Sequence, residues 1–255
     1  MMLGSFPTDR HPVRSRLRAR EFDAREEAVV GNLGGCALAR PAPPSVPYII
    51  HPSPVFAAMA QPAPTGEMMT VAEFLARDWP ECQVELVRGE ARVNPPPGGA
   101  HGVVCGNLLA VLIPHVLERR LGRIFADGVG FELVRLPQTV RVPDVSFVRA
   151  RRLPAGGFGP GLLKVAPDLA VEVLSPSETA TSLEEKLGDY RGAGTALIWV
   201  IDPERRTVMV VSDDAPARWL TVGETLDGAN VLPEFRCAVV ALFDGLASSS
   251  ARMAR

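Results

Sequence analysis

A short apolar run with one acid in its middle constrains this chain more than any other feature. Residues 169–174 read LAVEVL, which is the continuous apolar pattern of a β-strand covered on both faces, and Glu172 interrupts it. An unpaired carboxylate is very costly in a low-dielectric interior, so a buried one is paired, bound to a metal ion or neutralised by a raised pKa. Glu172 therefore needs a partner. Lys186, early in the helix predicted to follow this strand, is the nearest strong candidate in the sequence.

A second acid lies in a predicted strand upstream. Asp144 follows Pro143 within the alternating β-formers of residues 139–148. Two strand carboxylates and a lysine are typical of a hydrolytic site, but each residue also has a structural interpretation. Glu172 and Lys186 can form a buried ion pair that has no chemical role, and Asp144 can be a hydrogen-bond acceptor at a turn or strand end. The residues alone leave both interpretations open.

Composition limits the classes of protein. Nearly half of the 255 residues are apolar, which allows a sizeable core, and the formal charge of −2 argues against binding duplex nucleic acid by bulk electrostatics alone. The four cysteines are far apart and include no C-x-x-C pair, so we expect neither a zinc site nor a disulfide framework, and a cytoplasmic location. No run of eighteen apolar residues and no secretory signal is apparent, so no membrane association is expected.

The sequence divides into three parts. Residues 1–68 combine scattered arginines with Pro/Ala stretches and are predicted to be a disordered N-terminal extension, or to lie upstream of the true translation start. A regulatory or nucleic-acid-binding tail is the alternative for this part. Residues 69–245 form the predicted folded domain, and residues 246–255 a frayed C-terminal tail.

Local patterns predict the first elements of the domain. Thr70 and Glu73 make a capping box for a helix over residues 71–77. The predicted buried face of this helix consists of Val71, Phe74 and Leu75. A hairpin over residues 84–93 and a helix over residues 101–121, kinked at Pro114, follow. Residues 124–133 and 139–148 are then predicted to pair as antiparallel strands.

The second half predicts an α/β crossover. Ser182 and Glu185 suggest a capping box for a helix over residues 183–193, between the Glu172 strand and an apolar strand at 196–201. Strand, helix and strand at this spacing predict a parallel pair joined by a crossover helix. Further strands are predicted at 207–211, 218–222 and 239–243.

Short motifs in this order resemble a known family over about residues 70–243. They are Glu85-Leu86-Val87 with Gly89-Glu90, Pro95-Pro96-Pro97 with His101, Val142-Pro143-Asp144-Val145, Pro167-Asp168 with the Glu172 strand and Ser175-Pro176-Ser177, Glu185-Lys186 with Tyr190, and Trp199-Val200-Ile201-Asp202-Pro203. The series closely resembles the Uma family of restriction endonucleases, in the PD-(D/E)XK nuclease-like superfamily. The resemblance implies a restriction-endonuclease-like α/β fold, with a mixed β-sheet flanked by helices.

The resemblance also implies a chemistry. Asp144 and Glu172 match the two acids of the superfamily motif and would bind Mg²⁺ or Mn²⁺, in a nuclease that hydrolyses phosphodiester bonds of nucleic acid, expected to be DNA. The motif lysine normally lies two residues after the second acid. That position is Leu174 here, so Lys186 of the following helix becomes the match. By analogy with such nucleases we expect a homodimer.

Two further residues match family positions. Glu85 is implied as an additional metal ligand or as an acceptor behind the ligands, and His101 as a phosphate-positioning group or proton carrier. The alternatives are that Glu85 is a solvated strand residue and that His101 only caps its helix. Asp168, also preceded by proline, is interpreted as a loop or capping residue. Two arginine groups, at 149, 151 and 152 and at 119, 120 and 123, are candidate phosphate contacts or simply solvated charges.

Two other functions compete with the nuclease. One is a nuclease-fold binding or regulatory module without catalysis, and the other is a metal-dependent hydrolase of a different phosphoester. The fold cannot separate them, because function resides in the site. A nuclease requires Asp144, Glu172 and Lys186 to converge.

Overall fold

The computed structural model describes residues 68–79, 83–126, 128–135, 138–176 and 178–247. The predicted N-terminal extension and C-terminal tail lie outside the described residues, apart from Met68, Leu246 and Ala247. The same holds for Cys36 and Cys82. Of the two cysteines that the described residues include, Cys105 and Cys237, both are free thiols.

Three helices and twelve strands make up the described part of the chain. The helices are α1 (Val71–Ala76), α2 (Gly99–Glu118) and α3 (Ala180–Gly192). The first strands are β1 (Gln83–Val87), β2 (Glu90–Asn94), β3 (Gly122–Ala126), β4 (Phe131–Arg135), β5 (Gln138–Arg141) and β6 (Val145–Arg149). The later strands are β7 (Leu169–Val173), β8 (Leu197–Asp202), β9 (Thr207–Ser212), β10 (Arg218–Leu220), β11 (Thr225–Asp227) and β12 (Arg236–Ala238).

A six-stranded mixed sheet forms the centre, in the order β10-β9-β8-β7-β6-β3. Strands β7 and β8 are parallel and α3 connects them, as the crossover pattern predicted, while the other neighbours are antiparallel. A second sheet has the order β2-β1-β5-β4, and β11 pairs with β12. The predicted α/β class, a mixed sheet flanked by helices, is confirmed.

Helices cover the two faces of the central sheet. Val104 and Leu108 of α2 pack in one apolar cluster with Val171 of β7, and Tyr190 of α3 packs in another with Ala170. Because side chains alternate along a strand, Glu172 points to the same face as Ala170, towards α3. All five residues of β7 are buried, so the prediction of a strand covered on both faces is correct.

The prediction that residues 124–133 pair with 139–148 as antiparallel strands is correct, but the pairing is divided between two sheets. Strand β3 pairs with β6 in the central sheet, whereas β4 pairs with β5 in the second sheet. The pairing is interrupted in both segments. Gly128, at φ 91°, lies between β3 and β4, and Pro143, which has no N–H to donate to a neighbouring strand, lies between β5 and β6. The chain therefore bends twice and divides one predicted hairpin between two sheets. Asp144 lies at this second bend, directly before β6.

The predicted capping box of α3 is wrong. The helix begins three residues earlier than expected, because the Thr179 side chain caps it by accepting a hydrogen bond from the backbone N–H of Ser182. Glu185 instead pairs with Arg92 of β2. The end of the helix agrees with the sequence, since Gly194 follows it at φ 88°.

Two smaller predictions fail. The capping box of Thr70 and Glu73 is present, but α1 buries Phe74 and leaves Leu75 half exposed. Residues 239–243 form a 3₁₀ turn and not a strand, although Val239, Leu242 and Phe243 are buried as an edge element would be. The capping residues thus located α1 correctly, while its apolar period was too short to identify the buried face.

The expectation that no segment could span a membrane needs correction. Among the described residues, α2 is long and apolar enough to do so by length and composition. The apolar run was overlooked because glycine, histidine, asparagine and proline are interspersed in it. One side of α2 is nevertheless packed on the central sheet through Val104, Leu108, Leu112 and Val116, as in the core helix of a folded domain.

Candidate active site

The pairing of β6 with β7 brings Asp144 next to the Glu172 strand. The backbone N–H of Asp144 donates to the carbonyl of Val171 (3.0 Å), and the N–H of Val173 donates to Asp144 Oδ2 (2.6 Å). Asp144 is therefore held on both sides of Glu172, by its main chain at Val171 and by its carboxylate at Val173. The proline before Asp144 ends the preceding strand, so Asp144 is free to turn its carboxylate towards β7.

Glu172 is held by two side chains of α3. Lys186 Nζ donates to Glu172 Oε2 (2.8 Å), and the Tyr190 hydroxyl donates to Glu172 Oε1 (2.6 Å). Lys186 and Tyr190 are four residues apart, so they lie on one side of the helix. The ion pair expected from the burial argument is present, and Tyr190, to which no role was assigned from the sequence, completes it.

Electrostatics at this pair oppose full ionisation of the acid. Burial raises the pKa of Glu172, and the negative charges of Asp144 and Glu85 add to this effect, while Lys186 counteracts it. Burial acts to lower the pKa of Lys186, but the carboxylates of Glu172 and Glu85 raise it above its ordinary value. Lys186 is therefore positively charged, and Glu172 holds a proton more tightly than an ordinary glutamate does.

His101 lies on the other side of Asp144. It is the third residue of α2, is 9% exposed, and its Nε2 lies 3.1 Å from Asp144 Oδ1. The hydrogen bond to Asp144 raises the pKa of His101 to about 10, so the ring is an imidazolium at neutral pH. The alternative that His101 caps the helix is wrong, because Gly98 is the N-cap residue and no side chain caps it.

Glu85 is buried and paired, not solvated. Its Oε2 accepts from Arg141 Nη1 (2.9 Å) and its Oε1 from the backbone N–H of Val142 (3.0 Å). Arg141 also donates to Asp189 of α3 from Nε and Nη2 (2.9 and 2.6 Å) and is only 1% exposed. This triad of Glu85, Arg141 and Asp189 connects β1 and β5 of the second sheet to the helix that carries Lys186.

A second carboxylate reaches Lys186. Glu178, in the loop before α3, has its Oε2 3.5 Å from Lys186 Nζ, and its buried Oε1 has no hydrogen-bond partner among the described residues. Leu174, at the standard lysine position of the family motif, is partly buried against the α3 side of the sheet. The amine therefore reaches Glu172 from the helix, while an apolar residue fills the position two after the acid.

The remaining candidates lie away from this cluster. Asp168 is buried and structural: its Oδ2 accepts from the backbone N–H of Arg149 (2.9 Å), and Arg152 pairs with Oδ1 (2.9 Å). The two arginine groups meet at the end of α2, where Arg120, Arg149 and Arg151 line a shallow cavity of about 310 Å³. Asp144 is five residues from Arg149 along the β6 strand, which corresponds to about 16 Å.

The carboxylates of Asp144 and Glu172 are oxygen ligands of the type that hard divalent cations prefer. Each oxygen of Asp144 and Glu172 accepts one hydrogen bond, and a carboxylate oxygen has two acceptor positions. Mg²⁺ commonly binds to one or two carboxylates and takes its other ligands from water and substrate phosphate. Within the described ranges, no group of three or more His, Cys, Asp and Glu residues could hold an ion. The donor set therefore suits Mg²⁺ or Mn²⁺ in an open site and does not suit a closed zinc site.

Four residues of the site had no role assigned from the sequence: Arg141, Glu178, Asp189 and Tyr190, of which only Tyr190 was named, within the motif series. Arg141 had a usable signal, because it stands between Val140 and Val142 in a predicted strand, just as Glu172 stands between valines. The role of Tyr190 beside Lys186 could have been inferred from their spacing of four on a predicted helix. Glu178 and Asp189 have no comparable signal, since acids in loops and on helices are usually solvated.

Comparisons with known proteins identify the fold and the family of this chain. A crystal structure of a protein from Anabaena variabilis, described as a "putative nuclease", is similar to this chain, with a TM-score of 0.62 and 24% identity over 69% of this chain and 97% of that one. This likeness supports the fold. No curated protein matches the sequence. The model of the Uma2 family, described as "Putative restriction endonuclease", matches residues 71–240, which include every candidate residue above. The chain therefore belongs to the Uma2 family.

Proposed function

We propose that this protein is a Mg²⁺-dependent endonuclease that hydrolyses phosphodiester bonds of DNA. The observation that carries the proposal is the convergence of Asp144, Glu172 and Lys186 at the junction of β6, β7 and α3, with His101 beside Asp144. A buried ion pair alone does not need the second carboxylate on the neighbouring strand. The family description supports the same reaction class in coarser terms.

Asp144 and Glu172 would hold the metal ion. When bound, Mg²⁺ supplies electrophilic stabilisation of the phosphoryl oxygens and lowers the pKa of a coordinated water. The protein contributes to metal binding by orienting the two carboxylates. The backbone N–H of Val173 fixes Asp144, and the Tyr190 hydroxyl fixes Glu172 Oε1, so neither carboxylate must reorganise when charge develops.

Lys186 and His101 supply positive charge. Lys186 Nζ lies 2.8 Å from Glu172 Oε2, where it can orient an attacking water and offset negative charge on the phosphoryl oxygens in the transition state. The His101 imidazolium next to Asp144 can donate to a phosphate oxygen or protonate the leaving oxygen. Glu85 acts at a distance, by holding Arg141 and through it the helix that carries Lys186.

Plasmid cleavage tests the proposal. The full chain is incubated with supercoiled DNA and, separately, with single-stranded RNA, in the presence of Mg²⁺, Mn²⁺ or EDTA. We expect DNA cleavage with either metal and none with EDTA, and loss of at least about 100-fold in rate for Asp144→Asn and Glu172→Gln, the scale of removing a preorganised charge. Asp213→Asn, an exposed acid away from the site, is the matched control and should cut normally.

One observation favours a second candidate function. Each oxygen of Asp144 and Glu172 already accepts a hydrogen bond from the protein, as in a structural cluster that has no catalytic role. A nuclease-fold binding module would then bind nucleic acid without cleaving it. Equilibrium DNA binding in EDTA, compared with binding in Mg²⁺, separates the two. A module binds with the same affinity in both and cuts in neither, whereas the nuclease requires the metal for cleavage.

A further inference from the structure

The outward side of α2 is apolar along its whole length. Residues 99–117 contain no Asp, Glu, Lys or Arg. We use the name outer face of α2 for six exposed residues that helical spacing puts on one side: Gly102, Val103, Gly106, Ala110, Ile113 and Leu117. Three of them are large, and Val103, Ile113 and Leu117 are 36%, 41% and 55% exposed.

An outer face of this kind is unusual for a helix at a protein surface. A surface helix normally has an apolar side towards the core and a polar side towards water, and a helix that is apolar all round is normally covered all round. The inward side of α2 is already packed, through Val104, Leu108, Leu112 and Val116. A continuous exposed apolar surface marks an interaction site, so a second partner for α2 is indicated.

The glycines point to the kind of partner. Gly102 and Gly106 lie inside the helix, where each costs about 1 kcal/mol relative to alanine. A Cβ at either position would meet nothing within 4 Å, so packing among the described residues does not require a glycine there. Small residues four apart let another helix approach closely. Glycines at these positions are explained if a helix crosses α2 near Gly106 and Ala110.

We propose that the outer face of α2 is a homodimer interface, in which α2 packs antiparallel against α2 of a second copy about a two-fold axis. A two-fold contact uses the same surface on both subunits, so the surface must be self-complementary. The outer face meets this condition. Its small residues, Gly102 and Gly106, occupy the first half of the helix and its large ones, Ile113 and Leu117, the second half, so antiparallel packing places large against small.

Charge complementarity supports the antiparallel orientation. Glu118, whose side chain is 73% exposed, ends α2 at the negative pole of the helix dipole, which is unfavourable for an acid. In an antiparallel pair, each Glu118 lies near the positive N-terminus of the other α2. The contact would bury no Asp, Glu, Lys or Arg side chain between residues 99 and 117 of either copy.

The area is sufficient for a specific but weak dimer. A helix of 20 residues is about 30 Å long and about 10 Å across, so half of its lateral surface is roughly 500 Å². Two copies would bury roughly 1,000 Å², which is the lower limit for a specific interface. The exposed Val240, in the 3₁₀ turn that packs on α2, can extend it. We therefore expect a dimer whose population depends on protein concentration.

Light scattering after size-exclusion chromatography tests the interface on the full chain, without metal or DNA, from low micromolar to submillimolar concentration. The wild-type mass should rise with concentration from 27.3 kDa towards twice that value. Ile113→Glu should raise the dimer dissociation constant at least about tenfold, because it buries an unpaired carboxylate. Gly106→Leu should do the same by preventing close approach.

Matched controls separate the interface from general damage. Val222→Glu places the same charge on an apolar residue that is 42% exposed elsewhere, and Gly188→Leu fills an equally open position in α3. Both controls should dimerise like the wild type. Circular dichroism and thermal unfolding of every variant must show a folded protein, and Gly106→Ala replaces any leucine variant that is not folded.

A wild-type protein that stays monomeric at all concentrations overturns the proposal. So does a dimer that persists in both Ile113→Glu and Gly106→Leu, or one that Val222→Glu weakens equally. Binding of the monomer to phosphatidylcholine–phosphatidylglycerol vesicles through the outer face, without dimerisation, overturns it as well and assigns that face to a membrane surface. None of these outcomes depends on whether the protein cleaves DNA.

Discussion

The hydroxyl of Tyr190 donates to Glu172 Oε1 over 2.6 Å, deep in the interior between α3 and β7. With Lys186 on the other oxygen, both acceptors of the acid are oriented by a single helix. This relationship makes α3 the element that determines how Glu172 is presented to a metal ion or a water.

Removal of the Tyr190 hydroxyl should weaken metal binding at the site without abolishing it. Tyr190→Phe keeps the ring in its cluster but leaves Glu172 Oε1 without a donor, which should lower the free energy of unfolding by about 1–3 kcal/mol. The cleavage rate should fall as well, and calorimetric titration should give weaker Mn²⁺ binding. Trp219→Phe, at an exposed aromatic, is the control for ring exchange. Unchanged Mn²⁺ affinity would mean that Tyr190 has only a packing role.

Lys186 should be necessary for catalysis and, separately, for tolerance of the Glu172 charge. Lys186→Met leaves a buried carboxylate without its cation, which should cost about 3–5 kcal/mol of stability and abolish cleavage. Glu172→Gln in the same chain should recover stability, because the uncompensated charge is then gone, but not cleavage. Urea unfolding of the two single variants and the double variant measures the coupling. Additive effects on stability would contradict the ion pair.

Arg141 should matter for both stability and catalysis, although it is not a catalytic residue. Arg141→Met leaves Glu85 and Asp189 buried without their shared partner, and a loss of about 3–5 kcal/mol is expected. Glu85→Gln in the Arg141→Met background should recover part of it. Cleavage should decrease mainly in kcat, since the Lys186 helix loses its anchor. Full activity at normal kcat in a folded Arg141→Met protein would exclude a positioning role.

The His101–Asp144 pair should make stability depend on pH. Because the folded pKa of His101, about 10, lies above its unfolded value, the pair stabilises the protein fully below pH 6.5, and this contribution disappears as the pH rises through about 10. The difference in unfolding free energy between the wild type and His101→Asn, measured in EDTA, should therefore shrink between these values. A difference that stays constant from pH 6.5 to above pH 10 would show that His101 is not charged in the native state.

Added Mg²⁺ should stabilise the protein more at alkaline than at acidic pH. Burial raises the pKa of Glu172 to about 7, so protons compete with a cation for this carboxylate below that pH. The increase in Tm on addition of Mg²⁺ should therefore be larger above pH 7 than below it. Glu172→Gln should lose the increase. An equal increase for wild type and variant at both pH values would place the bound ion elsewhere.

The central part of the site followed from burial alone. A charged residue in a two-face-covered strand requires compensation, and this requirement led from Glu172 to Lys186, fourteen residues away on the next helix. The same reasoning applied to Arg141 would have predicted a buried cation in β5. Its partners, Glu85 and Asp189, come from β1 and α3, and no local pattern connects these elements.

The division of the strands into two sheets could not be read from the residues. A period of two identifies a strand but not its sheet, so the paired segments 124–133 and 139–148 were predicted as one hairpin, while β3–β6 and β4–β5 belong to different sheets. The start of α3 was missed for a related reason. Thr179 and Ser182 both suit an N-cap, and the choice depends on Glu185, which pairs with Arg92 of the second sheet.

The lysine of this site is carried by α3, and position 174 is leucine. Residue 174 therefore needs no catalytic side chain and can be any of several apolar residues, provided that α3 remains packed on the sheet. Searches that require an acid and a lysine with one residue between them will pass over chains built like this one. A search keyed to a buried strand acid, followed about fourteen residues later by Lys-x-x-x-Tyr on a helix, would retrieve them.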